Sequence, residues 1–178
     1  MKHLEYTKKY SGKAQYIVKE IERLHESYPI LPGKKYDERR RIIRDECLRA
    51  LEVDPKCYPA YFHLGILEHM SGNNEGMLEY FLKGLDVADE PYNWYTWAES
   101  ITMLTETPNL NHSMLIRYLK AFYKKNPRFS ILNSLVRDLW KKQNQRDEAL
   151  AYLRDYLQKN PEDKRALKLR KKIEKSLR

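Results

Sequence analysis

The chain has 178 residues, of which 42% are hydrophobic and 33% are charged, so it holds enough apolar side chains for a folded core. No stretch approaches the roughly 20 consecutive apolar residues of a membrane-spanning helix, which excludes that class of protein. The net charge is +9 at pH 7, and a basic total favours nucleic acid, a membrane surface or an acidic protein as partner.

Apolar residues recur at three- and four-residue intervals along nearly the whole chain, without the alternation that is typical of strands. This spacing predicts an all-α fold of about nine helices in antiparallel pairs. In chain order, the apolar runs that mark these helices begin at Ala14, Ile42, Tyr61, Met77, Trp94, Met114, Leu132, Ala149 and Ala166. A loop is predicted over residues 28–35, because two prolines and a glycine in this segment cannot lie inside a helix.

The helix-breaking residues fall at a regular period. They are Asp54-Pro55, Pro91, Asn126-Pro127 and Asn160-Pro161, and they lie 36, 36 and 34 residues apart. A fixed period in this range is typical of helical-repeat arrays.

The helix pair predicted within residues 56–91 carries the most specific pattern. Tyr61 and Leu64-Gly65 lie in its first helix, and Phe81 and Gly84 lie in its second. The other pairs repeat parts of this pattern through Cys47, Ala50, Pro55, Trp94, Trp97, Ala98, Ile101, Tyr118, Ala121, Ala149, Leu153, Tyr156 and Pro161.

In these features the chain resembles the tetratricopeptide repeat (TPR) family, although it departs from the family pattern at Glu68, Met77 and Pro91. The resemblance implies one α-solenoid domain over residues 1–178. Its parts would be a degenerate first pair (11–55), the best-matching repeat (56–91), a third pair (92–127), a fourth pair (128–161) and a capping helix (162–178). Small residues would let helices approach closely where one pair stacks on the next, namely Ala50, Gly65, Gly84, Ala98 and Ala121.

No motif in the sequence predicts a reaction, a cofactor or a metal. His63 and His69 are six residues apart and lie on different faces of a helix, and Cys47 and Cys57 are ten residues apart across a predicted helix end. No phosphate-binding loop and no nucleophile elbow occurs. We therefore expect a protein that is not an enzyme, with an enzyme of unrecognised site as the alternative.

The N-terminal sequence and the cysteines indicate a reducing compartment. The segment MKHLEYTKKYSGK lacks the apolar stretch of a secretory signal. Two cysteines are too few for a disulfide scaffold. We expect a cytoplasmic protein with free thiols at both positions.

Two basic helix faces are candidate binding surfaces for phosphates. The first comprises Arg39, Arg40, Arg41 and Arg44, and the second comprises Lys164, Arg165, Lys168, Lys171, Lys172 and Lys175. The alternative for the first is a solvated amphipathic helix, because Asp37, Glu38 and Asp45 are interleaved with the arginines. The alternative for the second is the outer face of the capping helix, with Ala166, Leu169, Ile173 and Leu177 turned inward.

The TPR resemblance also implies a concave groove that holds an extended peptide or a helix of a partner. Its candidate residues lie between the core positions of each first helix and are Phe62, Ile66, His69, Tyr95, Glu99, Thr102, Asn133, Arg137 and Trp140. A register shift of one residue would move Trp140 into the core. Phe62 and Ile66 stand where TPR clamps for C-terminal carboxylates carry polar residues, so an apolar ligand is expected instead.

The leading hypothesis is a non-enzymatic protein that binds one partner protein through an acidic or apolar segment, as an adaptor, a dedicated chaperone or a toxin-neutralising immunity protein. The alternative is RNA or DNA binding through the basic faces. Residues 46–110 carry 3 Lys/Arg against 11 Asp/Glu, or −8. This acidic segment opposes a long nucleic-acid footprint but permits a short one.

Overall fold

The computed structural model describes residues 16–21, 23, 34–88 and 110–176. Within these ranges the chain is helical and has no strand, with a helical segment at 16–21 followed by seven longer helices. These are α1 (Lys34–Val53), α2 (Tyr58–Met70), α3 (Asn74–Val87), α4 (His112–Lys125), α5 (Phe129–Lys141), α6 (Arg146–Lys159) and α7 (Lys164–Lys175). The predicted all-α class is therefore confirmed for the described residues.

Most helix boundaries agree with the sequence-based expectation. Helices α1, α4 and α6 end immediately before Asp54, Asn126 and Asn160, each of which precedes a proline. Helix α1 begins at Lys34, within the last part of the predicted loop. The helix predicted from Trp94 lies outside the described residues.

Side-chain caps start three of the helices. Oδ1 of Asn73 accepts a hydrogen bond from the amide of Gly76, and Oδ1 of Asn111 accepts one from Met114. Asp163 accepts from two amides in the first turn of α7. These caps satisfy backbone donors that have no partner inside a helix.

The chain divides into two compact units, Met1–Tyr92 and Asn93–Arg178, which we call unit 1 and unit 2. The division falls next to the predicted boundary between the second and third helix pairs. In each unit, helices that follow one another along the chain pack together, as α1, α2 and α3 do in unit 1 and α4 to α7 do in unit 2. None of the helices in the described ranges is both long and apolar enough to cross a membrane.

The core of unit 1 joins the N-terminal helical segment to α1 and α2. Its buried residues are Ile17, Val18, Ile21, Ile43, Cys47, Ala50, Cys57, Ala60, Leu64 and Leu67. Removing these side chains from water is the main term that holds the helices together.

The core of unit 2 corrects one predicted position of close helix approach. Ala121 was expected at a close helix contact, but it is partly exposed, whereas Phe122 beside it is fully buried. Phe122 lies five residues before Pro127, as the buried Ala50 lies five residues before Pro55. The repeated position in α4 therefore holds a large aromatic residue and not a small one.

Gly65 has the predicted role of allowing close approach, but within its own helix pair. A Cβ atom at Gly65 of α2 would lie 2.6 Å from Cδ1 of Phe81 and 3.3 Å from the carbonyl oxygen of Met77, both in α3. Such a distance to an aromatic carbon is a clash. The close approach at Gly65 therefore lies inside the α2–α3 pair rather than between stacked pairs.

The pairs α2–α3 and α5–α6 share one pattern of burial in their first helices, and the turn of each pair contains a residue with positive φ. Leu64 of α2 and Leu135 of α5, which lies 71 residues later, are both fully buried. The turns that follow these helices each contain a residue with positive φ, which is 78° at Gly72 and 54° at Asn144. Glycine, asparagine and aspartate adopt this conformation most readily. The turns differ in length, with residues 71–73 after α2 and residues 142–145 after α5.

Candidate functional site

The first part of the candidate groove lies on α2 in unit 1. Phe62 stacks on Phe81 with ring centroids 5.5 Å apart and an interplanar angle of 12°. Nδ1 of His69 lies 3.0 Å from Oδ1 of Asn74. Ile66 is partly exposed. Phe62 is therefore committed in large part to internal packing, and Ile66 is the better candidate for an apolar contact with a partner.

Three other candidate groove residues, Asn133, Arg137 and Trp140, lie on α5 in unit 2. Leu139 is fully buried, and the adjacent Trp140 is only partly buried, so Trp140 stays out of the core position. Nζ of Lys141 lies 5.7 Å from the centroid of the Trp140 ring, within the range of a cation–π contact. Asn133 is partly exposed and Arg137 is exposed. Tyr95, Glu99 and Thr102 lie outside the described residues.

The basic run on α1 is engaged largely within unit 1. Arg40 donates to the carbonyl oxygen of Leu67 at 3.1 Å and also contacts the hydroxyl of Ser71. Arg44 forms an ion pair with Glu68 at 2.7 Å. These contacts tie α1 to the last turn of α2. Arg39 is partly buried and Arg41 is exposed, which agrees better with a solvated amphipathic helix than with a surface made for phosphates.

Glu68 joins α1 to the turn that follows α2. Burial on its own would raise the pKa of this carboxyl group, but hydrogen bonds from Arg44 and Asn73 outweigh burial and lower the pKa. Glu68 stands where the TPR pattern has an aromatic residue.

The basic face of α7 is arranged as the capping hypothesis predicts. Ala166 and Ile173 are fully buried, and Leu169 is partly buried. The exposed residues are Lys164, Arg165, Lys168, Lys171, Lys172 and Lys175. Five of these six are lysines, and together with Leu167 they line an open depression along the helix. Leu177 lies outside the described residues.

Arg165 differs from these lysines because its guanidinium group contacts other side chains of unit 2. Its guanidinium carbon lies 4.6 Å from the centroid of the Phe129 ring, and it pairs with Asp163 at 3.0 Å. The hydroxyl of Tyr156 donates to the same carboxylate at 3.0 Å. The hydrogen bond from Arg165, with those from Tyr156 and two backbone amides, lowers the pKa of Asp163 to about 2. Arg165 is therefore exposed, like the lysines, but has an aromatic and a carboxylate partner within unit 2.

The sequence analysis did not single out a buried carboxylate on α5. Asp138 is 5% exposed, and its Oδ1 lies 2.9 Å from Nδ1 of His112 at the start of α4. Burial raises the pKa of Asp138, although the His112 contact opposes the shift. The equivalent position in α2 holds the buried Leu67. A charged residue at a position that is apolar in the other helix pair is the sequence feature that would have indicated Asp138.

Among the described residues, no cluster of three or more His, Cys, Asp or Glu residues is arranged to hold a metal ion. Cys47 and Cys57 are buried free thiols, and burial raises the pKa of both, to about 11 for Cys57. A high pKa keeps the thiol protonated and weakly nucleophilic at neutral pH.

No protein-family model matches the chain, and no curated protein matches it either.

Proposed function

We propose that this chain is a TPR-like helical-repeat protein of the cytoplasm, an α-solenoid of about nine helices, that binds one partner protein in a groove. It would act through this binding alone, as an adaptor, a dedicated chaperone or an immunity-type protein. The observation that carries the proposal is the equivalence of α2–α3 and α5–α6. In both pairs the core positions of the first helix are buried, and the intervening positions are left partly or fully exposed.

The exposed positions on these two first helices suit a protein ligand. Ile66 offers an apolar contact, Trp140 offers a partly exposed aromatic ring, and Arg137 offers a charge. Aromatic and arginine side chains are enriched among residues that carry protein-binding energy. The step from repeat architecture to partner binding is an analogy with the family, so a binding experiment has to test it.

The proposal can be tested by affinity capture from the native host with tagged full-length chain. Ile66→Glu and Arg137→Glu each change one groove position, and Leu48→Glu and Arg117→Glu are matched controls at exposed positions of α1 and α4. Circular dichroism and thermal melts first establish that each variant is folded. We expect the wild type and both controls to retain one stoichiometric protein and both groove variants to lose it.

Three results would contradict the proposal. The first is that the wild type retains no stoichiometric protein even at low salt. The second is that both groove variants retain the partner at wild-type yield. The third is that the captured material disappears on nuclease treatment, which would favour binding of nucleic acid. Because Arg137 is exposed, its substitution tests the groove without disturbing the core, even if Ile66→Glu proves unstable.

A further inference from the structure

Positive charge is concentrated in unit 2. Residues 93–178 carry 19 Lys/Arg against 9 Asp/Glu, or +10, whereas residues 1–92 carry 15 against 16, or −1. Unit 2 is therefore strongly basic, whereas unit 1 is close to neutral. A charge of this size raises the local concentration of an acidic partner near unit 2.

Helices α5 and α7 are equivalent elements of unit 2 and contact each other. Leu132 and Leu139 of α5 are fully buried, as are Ala166 and Ile173 of α7, each 34 residues later. By the same spacing Arg137 corresponds to Lys171, and both are exposed. The groove position Asn133 corresponds in the same way to Leu167, so Leu167 and Lys171 of α7 occupy the positions that Asn133 and Arg137 occupy in α5.

The exposed lysines of α7 form no ion pair with a carboxylate within residues 110–176. They are Lys164, Lys168, Lys171, Lys172 and Lys175. The nearby carboxylates of Asp163 and Glu174 pair instead with Arg165 at 3.0 Å and Arg170 at 3.6 Å. At 1.5 Å rise per residue, the lysines from position 164 to 175 extend over about 16 Å, with successive charges about 5–6 Å apart. Alternate residues of an extended peptide are about 6.6 Å apart, which is a similar spacing.

We propose that this face of α7, together with Arg137 of α5, binds an extended acidic segment of the partner protein. The α7 part is defined by Lys164, Leu167, Lys168, Lys171, Lys172 and Lys175. Acidic residues at alternate positions of that segment pair with the lysines, and an apolar residue of the segment contacts Leu167. The inference rests on the proposed function and specifies the chemistry of the partner.

The composition of this face favours a peptide over a nucleic acid as ligand. It contains the apolar Leu167 and no aromatic side chain. Proteins that bind single strands without sequence preference stack bases on aromatic side chains, and none of these six residues is aromatic. A phosphate backbone also has no apolar group that would contact Leu167. An acidic peptide with interspersed leucines matches both the charges and the apolar side chain.

The test is fluorescence anisotropy with the full-length chain and a labelled probe peptide of about 12 residues, rich in Glu and Asp with two leucines. The comparison probes are the same peptide with Gln and Asn in place of the acidic residues, and a single-stranded oligonucleotide of equal length. Lys168→Glu/Lys171→Glu is the test variant. Arg117→Glu/Arg154→Glu, at exposed positions of α4 and α6, changes the net charge by the same amount.

We expect the wild type to bind the acidic peptide in preference to both comparison probes. The lysine variant should weaken that binding by about tenfold or more, and the arginine control by less than about twofold, at an ionic strength near 0.1 M. Equal weakening by the two variants would overturn the inference, because only net charge would then matter. Tighter binding of the oligonucleotide, or equal binding of the uncharged peptide, would also overturn it.

Capture of the native partner separates this inference from the proposed function. If Arg137→Glu loses the partner and Lys168→Glu/Lys171→Glu retains it, the groove proposal stands and the acidic segment is wrong. If neither variant loses the partner and Ile66→Glu also retains it, the proposed function itself fails.

Discussion

The hydroxyl of Tyr156 on α6 donates a hydrogen bond to Oδ2 of Asp163, 3.0 Å away at the start of α7. The same carboxylate accepts from the backbone amides of Arg165 and Ala166 through Oδ1, at 2.9 and 3.3 Å. One side chain therefore caps the last described helix and also fastens it to the preceding one.

Replacing Asp163 by alanine should lower the free energy of unfolding of unit 2 by about 1–2 kcal/mol, the usual cost of losing a helix cap. Because the folded pKa is lowered from 3.8 to about 2, the stabilisation is complete above pH 3.8 and is lost as the pH falls toward 2. Urea unfolding of the wild type and Asp163→Ala at pH 7 and near pH 2 measures both effects.

Asp163→Asn is the matched control for this experiment. Its side-chain oxygen can still accept from the backbone amides, but it lacks the charge that pairs with Arg165. We expect it to retain more stability than Asp163→Ala at pH 7. A cost of Asp163→Ala that is the same at both pH values would show that the carboxylate charge is not involved.

Asp138→Leu should stabilise unit 2 by about 1 kcal/mol at pH 7, because the burial of a carboxylate costs free energy that an apolar residue of similar volume does not lose. Leucine is the residue type found at the equivalent position, Leu67. His112 is 27% exposed and so remains hydrated after its partner is removed. Thermal melts of the variant and the wild type provide the measurement.

The pH dependence of stability tests whether burial of the Asp138 carboxylate causes the gain expected for Asp138→Leu. Burial raises the folded pKa of Asp138 above 3.8, so the wild type gains stability as the carboxyl protonates and loses it as the pH rises through the folded pKa. The advantage of the leucine variant should therefore shrink below pH 3.8. Asp138→Ala, which leaves a cavity, should be destabilised at both pH values, and a stabilised alanine variant would contradict this account.

Gly65→Ala should destabilise unit 1 by about 1–3 kcal/mol, because the new methyl group overpacks the contact with the Phe81 ring. The cost has to exceed the gain in helix propensity of about 1 kcal/mol that alanine brings to an exposed helix position. Denaturant unfolding followed by the reactivity of Cys47 reports on this unit. The double variant Gly65→Ala/Phe81→Leu should lose less than the sum of the two single variants, and strict additivity would exclude the clash.

Asn144→Gly should raise the free energy of unfolding by about 0.5–1 kcal/mol, because glycine adopts the positive φ of 54° at this turn without strain. Gly72→Ala is the reciprocal change. A Cβ at Gly72 would meet no atom within 4 Å, so its expected cost of about 1 kcal/mol comes from the backbone alone. If Gly72→Ala leaves the melting temperature unchanged, the positive φ is not required there.

Helix positions were predictable because apolar spacing and X-Pro pairs are local signals. The apolar stripe of α4 was predictable in the same way, since Leu115, Tyr118, Leu119 and Phe122 recur at helical spacing and are all buried. The partial exposure of Ala121 was not, because the family pattern places a small residue at a helix contact there. The opposite faces of α7 were predictable, because its apolar residues other than Leu167 fall on a single stripe.

The candidate site was predictable only in part. The exposure of Arg137 and Trp140 followed from the register of one helix. The stacking of Phe62 on Phe81 depends on a neighbouring helix brought close at Gly65. The buried contact between His112 and Asp138 joins residues 26 positions apart, and no local pattern specifies such a pair.

The division at Tyr92 gives each unit its own spectroscopic reporter. Both cysteines of the chain, Cys47 and Cys57, belong to unit 1, and all three tryptophans belong to unit 2. Because the cysteines are buried with raised pKa values, their alkylation is slow until unit 1 opens. A single urea titration followed by thiol labelling and by tryptophan fluorescence therefore measures the unfolding of each unit separately in the unmodified chain.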